Sequence, residues 1–262
     1  MKNSLPLYLL VLVLSACSPS KEQVELRKAN KEASKKNYLK AINKYFLVYK
    51  KYSGTEESVG AVREAAKHSL LNQRDYASAI YFFKKLMILT EDGAEKIFAQ
   101  KKIAEIQFLH LKDCGEAIRE YKKLLTAELN SHDKFVSIKN IANCYGQLGD
   151  FKQAFIELKA IDEASLSKKD RYSFYLDTAH NLENTNNLEQ AHKIYKKINQ
   201  LYPVLYQKES LGLKVAVLFE EEKKFSKAIE TLRKVRPSYP QPDFIDIKIE
   251  SLKRRRRFLP EG

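Results

Sequence analysis

A six-fold repeat of short amphipathic segments is the feature that most constrains how this chain can fold. Each segment carries an alanine at the same register, and successive alanines are 38, 38, 37, 37 and 37 residues apart. The six positions are Ala41, Ala79, Ala117, Ala154, Ala191 and Ala228. A period held this closely over six copies predicts an array of similar units that bury their apolar faces against one another.

Each segment has the pattern of one amphipathic helix. An apolar or aromatic residue stands three positions before each alanine, and another stands four positions after it, which places all three on one helix face. The later residues are Tyr45, Phe83, Tyr121, Leu158, Tyr195 and Leu232. Five segments follow a residue that can cap a helix, namely Asn37, Asp75, Asp113, Asp150 and Asn187. A second amphipathic stretch precedes each copy, so every unit is predicted to be a helical hairpin.

The composition supports an all-helical chain. Only 8 glycines and 7 prolines occur in 262 residues, roughly half the usual share, which argues against a sandwich or barrel of many short strands. With 44% hydrophobic and 31% charged residues, the chain can bury a core and lacks the composition of a disordered protein.

The repeat resembles the tetratricopeptide repeat over about residues 22–240. In that pattern a small residue in helix A allows helix B to pack closely, and Ala142, Ala179 and Ala216 fit it; Pro203 and Pro240 fit the proline that ends helix B. The period exceeds that of the family, and the chain has no tryptophan. The resemblance implies a right-handed α-solenoid of about six hairpins, and the apolar pattern from 243 to 257 predicts a C-terminal capping helix.

The N-terminus resembles a bacterial lipoprotein signal. Lys2 precedes an apolar run from Leu5 to Leu14, whose ten residues span only about 15 Å of the ~30 Å hydrocarbon core. The sequence Leu14-Ser15-Ala16-Cys17 resembles the lipobox, which implies cleavage before Cys17 and its lipidation, including palmitate. We therefore expect a signal peptide over 1–16, a lipidated tether over 17–22, repeats over 23–240, and a capping helix with basic tail over 241–262.

The expected location limits the partners of a basic protein. Ser18 follows the lipidated cysteine, where inner-membrane lipoproteins usually carry aspartate, so the resemblance implies the periplasmic side of the outer membrane. The net charge is +14, which suits nucleic acid, anionic lipid or acidic polymers. Because the chain is expected to be exported, nucleic acid is excluded as a partner.

The sequence contains no recognisable catalytic or metal-binding motif. The five histidines have no metal-site spacing, and neither a glycine-rich phosphate loop nor a nucleophile elbow occurs. We therefore expect no enzyme activity, no cofactor and no metal.

The resemblance places a partner-binding groove on the concave face of the array, lined by helix A residues. Carried over residue by residue, the groove comprises Glu64, His68, Asn72, Lys139, Asn143, Gln147, His180 and Asn184. Lys139 with Asn143 resembles half of the carboxylate clamp that some such domains use on peptide C-termini. The next repeat supplies Asp177 where the clamp needs asparagine, so the clamp is incomplete and a general polar peptide groove is the stronger prediction.

Two further features each leave two interpretations open. Cys114 and Cys144 are expected on neighbouring helices, either as a disulfide in an oxidising compartment or as two small buried side chains. The basic run at the C-terminus is either a solvated helix end or a contact with anionic lipid or an acidic partner. That run is Lys253, Arg254, Arg255, Arg256 and Arg257.

A lipobox followed closely by hairpins of this period is similar to the BamD-like lipoproteins of the outer-membrane β-barrel assembly machine. The resemblance implies a non-enzymatic, lipid-anchored periplasmic scaffold that binds envelope proteins or peptides in outer-membrane protein assembly. Two alternatives stay open at this point: a pilotin-like factor for a secretin or pilus complex, and a cell-wall-associated module that recruits peptidoglycan enzymes.

Overall fold

Helical hairpins account for most of the protein. The computed structural model describes residues 19–258, and Cys17 with the lipobox lies outside these residues. Helix A packs beside helix B in each of six successive pairs. The pairs are α1 (Lys21–Ser34) with α2 (Tyr38–Lys51), α3 (Glu56–His68) with α4 (Tyr76–Leu89), α5 (Gly93–Glu105) with α6 (Cys114–Leu124), α7 (Ser131–Gln147) with α8 (Phe151–Lys159), α9 (Lys168–Asn184) with α10 (Leu188–Leu201), and α12 (Leu211–Glu221) with α13 (Phe225–Val235).

Two helices lie outside the hairpins. The short α11 (Pro203–Lys208) begins with the proline that ends α10, and α14 (Pro242–Phe258) follows the last hairpin. Ile249 and Leu252 of α14 are buried against the apolar side of α13, so the predicted capping helix is confirmed, as are the hairpins. The chain divides into two compact units, unit 1 up to Ala99 and unit 2 from Gln100.

The repeated alanines lie at the centre of the packing. All six are at most 2% exposed, and the residue four positions after each of them is at most 3% exposed. An alanine has no atom beyond Cβ, so the backbones of helices A and B can approach closely there, while the large residue one turn later fills the adjacent space. The amphipathic pattern therefore predicted the buried stripe correctly.

A left-handed residue joins helix A to helix B in every hairpin. Five of the six are not glycine, although this conformation costs an L-residue about 1–2 kcal/mol. The residues are Lys36, Arg74, Lys112, Gly149, Asn186 and Lys223. In four hairpins the N–H group of the next residue donates to a carbonyl oxygen five residues earlier, as Asp150 does to Tyr145 at 2.9 Å, which is the pattern of a Schellman cap.

Two π-helical stretches explain why the first two repeats are one residue longer. Ser69–Gln73 continues α3 and Ile106–Leu111 continues α5, and a π-helix takes one more residue per turn than an α-helix. At these two turns the closing bond spans six residues, from the N–H group of Asp75 to the carbonyl of Ser69 at 2.9 Å. The two spacings of 38 residues are the ones that contain a π stretch.

The prediction of helix caps was right in three of five positions. Asp75, Asp113 and Asp150 each accept a hydrogen bond from the N–H group three residues later, at 2.9–3.0 Å. Asn37 and Asn187 make no such bond. The Asn37 amide instead donates to the Glu32 carboxylate of the preceding helix at 3.1 Å. An aspartate at this position could not form that bond, because an ionised carboxylate has no N–H or O–H group to donate.

Substitutions at two of the left-handed positions are expected to change the free energy of unfolding in opposite directions. Substitution Lys223→Gly removes the steric cost of φ 58° at an exposed turn, and we expect it to raise the free energy of unfolding by about 0.5–1 kcal/mol. The reciprocal change Gly149→Ala, at φ 81°, is expected to lower it by about 1 kcal/mol. Urea unfolding followed by circular dichroism measures both, and equal effects of the same sign would contradict the assignment.

Candidate functional site

A polar cavity between α7, α8 and α9 is the candidate site of unit 2 that coincides with the predicted groove. Its volume is about 320 Å3. The structure brings four predicted groove residues to its wall: Asn143, Gln147, His180 and Asn184. The sequence put these residues one repeat apart on successive A helices, and the side-by-side packing of α7 and α9 brings them around one space.

The cavity is rich in amide groups whose hydrogen-bonding capacity is unused. Within the described residues, Asn143 and Asn184 form no hydrogen bond with another side chain or with the backbone. Asn181, which the sequence analysis missed, is 7% exposed; its amide nitrogen donates to the Phe151 carbonyl at 3.2 Å, but its buried oxygen has no partner. An unsatisfied buried amide is costly, so this wall is suited to a ligand with both donors and acceptors.

Lys139 does not face the cavity as a free cation. Its ammonium nitrogen lies 2.6 Å from the Ser173 hydroxyl and 3.3 Å from a carboxylate oxygen of Asp177. Asp177, which breaks the clamp pattern in the sequence, therefore also forms an ion pair with Lys139, the lysine that the clamp would use. A peptide carboxylate would have to displace Asp177, which is why the structure favours recognition by amides over a carboxylate clamp.

Burial shifts the pKa values of the two titratable groups in this cavity in opposite directions. It raises the pKa of Asp177, against the opposing effect of the Lys139 ammonium. Burial, reinforced by the charge of Lys214, lowers the pKa of His180 below its ordinary value of 6.5. At neutral pH the imidazole is therefore uncharged and can both donate and accept a hydrogen bond.

The three predicted groove residues of unit 1 form a separate cluster. His68 lies at the centre: its Nδ1 is 2.8 Å from the Asn72 side-chain oxygen, and its Nε2 is 3.6 Å from a carboxylate oxygen of Glu64. The ring stacks on Tyr38 and Tyr45, at centroid distances of 5.2 and 6.1 Å. Burial raises the pKa of Tyr45 to about 12. These contacts satisfy the histidine locally, so this cluster is less open to a ligand than the cavity of unit 2.

The two cysteines are neighbours, as the sequence predicted, and they are free thiols in this structure. Cys114 begins α6 and Cys144 lies late in α7, and both are buried. The Cys114 thiol also lies 3.3 Å from the side-chain oxygen of Gln147. Burial raises the pKa of the Cys144 thiol, which makes it a poor nucleophile. The disulfide stays a prediction.

The basic run at the C-terminus is the last part of α14. Arg255 pairs with Glu220 and lies over the Phe225 ring at 5.2 Å. Arg256 donates to the Ser226 hydroxyl at 3.1 Å, and Lys253 pairs with Glu250 at 2.6 Å. Three of the five basic side chains thus contact the last hairpin or α14 itself, whereas Arg254 and Arg257 make no such contact within residues 19–258.

Residues 19–258 contain neither a metal-binding cluster nor a membrane-spanning helix. No group of three or more histidine, cysteine, aspartate or glutamate side chains in residues 19–258 is arranged to hold a metal ion. In the same range, no helix combines the length and the apolar character needed to cross a bilayer.

The comparisons with known proteins identify the fold. No protein-family model and no curated protein matches the sequence. Among solved structures, the chain resembles the C-terminal part of a TPR repeat-containing protein from Cytophaga hutchinsonii, with a TM-score of 0.63 and 14% identity over 86% of this chain and 87% of that one. A tetratricopeptide repeat protein from Parabacteroides merdae gives 0.55 and 15%, over 90% and 88%. The apo form of RapI gives 0.54 and 13%, over 92% and 77%.

The fold is that of a tetratricopeptide-repeat (TPR) solenoid. The Cytophaga and Parabacteroides structures are described as TPR proteins, and no catalytic family is shown. At identities of 13–15%, these similarities concern the backbone alone.

The shifted pKa of His180 predicts a pH dependence of stability. Because the folded state holds the lower pKa, the unfolded chain takes up the proton first, and stability is lost as the pH falls through 6.5. We expect His180→Gln to lose less unfolding free energy than the unmodified protein between neutral pH and about 5.5. Urea unfolding across this range measures the difference, and parallel profiles would refute the assignment. Asp177, whose pKa is raised, contributes with the opposite sign at lower pH.

Because the two thiols are neighbours, their oxidation state in protein isolated from an oxidising compartment can be predicted. We expect Cys114 and Cys144 to be oxidised there to a disulfide by a thiol–disulfide oxidant, which accepts the two electrons and both protons. Mass spectrometry after alkylation under denaturing, non-reducing conditions counts the free thiols. Two alkylated cysteines in protein isolated from the cell envelope would establish the alternative, two buried thiols.

Proposed function

We propose that this protein is a non-enzymatic, lipid-anchored scaffold of the bacterial envelope that binds peptide segments of envelope proteins through the cavity of unit 2. Outer-membrane protein assembly is the process that we assign to it. The observation that carries the proposal is the amide-rich wall formed by Asn143, Asn181 and Asn184, where the buried side-chain oxygen of Asn181 has no hydrogen-bond partner.

An extended peptide is the ligand that fits these amides best. A peptide backbone presents one donor and one acceptor per residue, and the side-chain amides of asparagine supply both. The neutral His180 adds one of each, while the ion pair between Lys139 and Asp177 at 3.3 Å leaves no free cation for a carboxylate. Recognition would thus depend on the backbone of an internal segment more than on a charged terminus.

The lipid anchor is supported by the sequence around Cys17. All four positions from Leu14 to Cys17 fit the lipobox, and α1 begins four residues after the cysteine. Two or more acyl chains are sufficient for stable membrane attachment. A protein held in this way would keep its repeats on the periplasmic side of the outer membrane.

The experiment is affinity purification of the tagged full-length protein from membranes in mild detergent, with mass spectrometry of the bound proteins. We expect components of β-barrel assembly to be recovered. The double variant Asn143→Ala/Asn184→Ala removes two amides that face the cavity, and we expect it to lower recovery about tenfold or more, from roughly 1 kcal/mol per lost hydrogen bond.

The control is Gln190→Ala/Gln200→Ala, which removes two exposed amides from α10 of the same unit. This variant should recover partners as the unmodified protein does. Loss of membrane association in Cys17→Ser tests the anchor separately. Recovery of a ring-forming secretin would replace the proposal with the pilotin-like function, and recovery of peptidoglycan enzymes would replace it with the cell-wall module.

A further inference from the structure

The outer helices of the first two hairpins carry an unbalanced positive charge. Among the described residues, α2 and α4 together contain six lysines and no aspartate or glutamate. The lysines are Lys40, Lys44, Lys50, Lys51, Lys84 and Lys85. Lys40 lies 3.8 Å from Glu32 of α1, and no carboxylate oxygen lies within 4 Å of the other five ammonium groups in residues 19–258.

Large apolar side chains stand on the same solvent-facing side of these two helices. We call this surface the lysine–apolar face; its apolar members are Leu39, Phe46 and Leu47 of α2 with Tyr81 and Ile88 of α4. Leu47 is 64% exposed and Ile88 is 71% exposed. The rings of Phe46 and Tyr81 lie 6.4 Å apart, so the apolar side chains of the two helices form one surface.

The lysines border the apolar residues at close range. The Lys50 ammonium lies 5.4 Å from the centre of the Phe46 ring, and the Lys85 ammonium lies 5.5 Å from that of Tyr81. Long lysine side chains can keep their charge in the aqueous headgroup layer while their methylene groups lie along apolar surface. Aromatic and leucine side chains flanked by lysines are typical of surfaces that lie in a membrane interface.

The corresponding helices of unit 2 have a different chemistry. In α6, α10 and α13 a lysine pairs with a carboxylate one turn earlier on the same helix. The pairs are Lys123 with Glu120 at 2.9 Å, Lys193 with Glu189 at 2.7 Å and Lys234 with Glu230 at 2.6 Å. Helix α8 also places a lysine over an aromatic ring, Lys159 over Phe155 at 4.8 Å, but it contains Glu157. Among the described B helices, a set of lysines without any aspartate or glutamate is therefore a property of α2 and α4, and the repeat itself does not require it.

We propose that the lysine–apolar face docks onto an anionic lipid surface. Phosphate headgroups complement the unpaired lysines, and the boundary with the acyl chains accommodates side chains such as Leu47 and Ile88. A second copy of the chain is a poorer occupant, because face-to-face pairing would bring lysines against lysines with no carboxylate between them.

The chain enters this face from the expected anchor. The Gln23 amide of α1 donates to Glu57 at 3.1 Å, which places the start of α1 beside the start of α3, a few residues after α2 ends at Lys51. A hollow of about 450 Å3 lies there, bounded by Glu25, Lys44, Leu47 and Lys51, among others. The Glu25 carboxylate is paired with Lys28 at 2.8 Å and also interacts with the charges of Lys44 and Lys51, so these two lysines together exceed the single carboxylate of the hollow. Lys21 lies four positions after Cys17, a reach of at most about 14 Å.

The test uses unacylated protein, so that its outcome is independent of the proposed anchor and of partner binding. Because the described fold lies within residues 19–258, residues 17–262 with Cys17→Ser retain it. Flotation with phosphatidylcholine vesicles, with and without phosphatidylglycerol, gives a partition coefficient. We expect binding only to the anionic vesicles, and a decrease as salt is added.

Two variants identify the face. Lys44→Gln/Lys50→Gln/Lys51→Gln is expected to lower the partition coefficient about a hundredfold, from the usual contribution of a lysine at an anionic surface. Phe46→Ser/Leu47→Ser should weaken binding and reduce its persistence at high salt. The matched control Lys123→Gln/Lys193→Gln/Lys234→Gln removes the same charge from unit 2 and should change binding less than about threefold. Thermal unfolding by circular dichroism verifies that each variant is folded.

Several results would overturn the proposal. An equal loss in the unit 2 control would show that net charge alone governs binding, and a loss confined to Arg254→Gln/Arg257→Gln would assign the contact to the end of α14. Binding to neutral vesicles alone, or no binding at all, would exclude an anionic surface. Self-association that Phe46→Ser/Leu47→Ser abolishes in sedimentation velocity, without vesicle binding, would assign the face to a second copy.

Discussion

The close approach of two helices at a buried alanine is the contact on which the rest of this structure depends. In each hairpin the alanine of helix B is almost wholly buried, and a larger side chain there would force the helices apart. A large residue one turn later fixes the position of helix A: the Tyr45 hydroxyl donates to Asn30 at 2.7 Å, and the Tyr195 hydroxyl to Glu183 at 2.5 Å. Helix A carries the groove residues, so this contact sets where they point.

The buried stripe could be predicted from the sequence because it depends on spacing within one helix. The π-helical turns could not, although their signature was present. Two intervals of 38 residues read as small irregularities of a 37-residue period, whereas the structure shows an extra residue accommodated inside helix A at Ser69–Gln73 and Ile106–Leu111. One consequence is local: Asn72 lies in the first π stretch, where its side-chain oxygen is 2.8 Å from Nδ1 of His68.

The groove residues were found by register, and their partners were not. A repeat pattern tells which positions of helix A share a face, so Asn143 and His180 could be placed on one wall. It does not show that the Lys139 ammonium would be bound by Ser173 and Asp177 of the following repeat, because that contact joins side chains 34 and 38 positions apart whose rotamers depend on packing. Asn181 was missed for a related reason: its register marks it as buried, and only the structure shows an amide oxygen without a partner.

The two units differ in how their basic side chains are paired, and this difference gives each unit a different kind of surface. A net charge of +14 spread evenly would favour any polyanion, but many of the basic side chains are paired with a neighbouring carboxylate. In unit 2 the helix pairs and the contacts of Arg255 and Arg256 bind basic side chains to the protein itself. In unit 1 five of the six lysines of α2 and α4 lack such partners, Lys40 being paired with Glu32, and these lysines border exposed apolar residues. The cavity of unit 2 is lined largely by amides, which suits a peptide, whereas the lysine–apolar face of unit 1 suits phosphate and hydrocarbon. The two proposed activities, peptide binding and docking onto anionic lipid, therefore depend on different residues in different units.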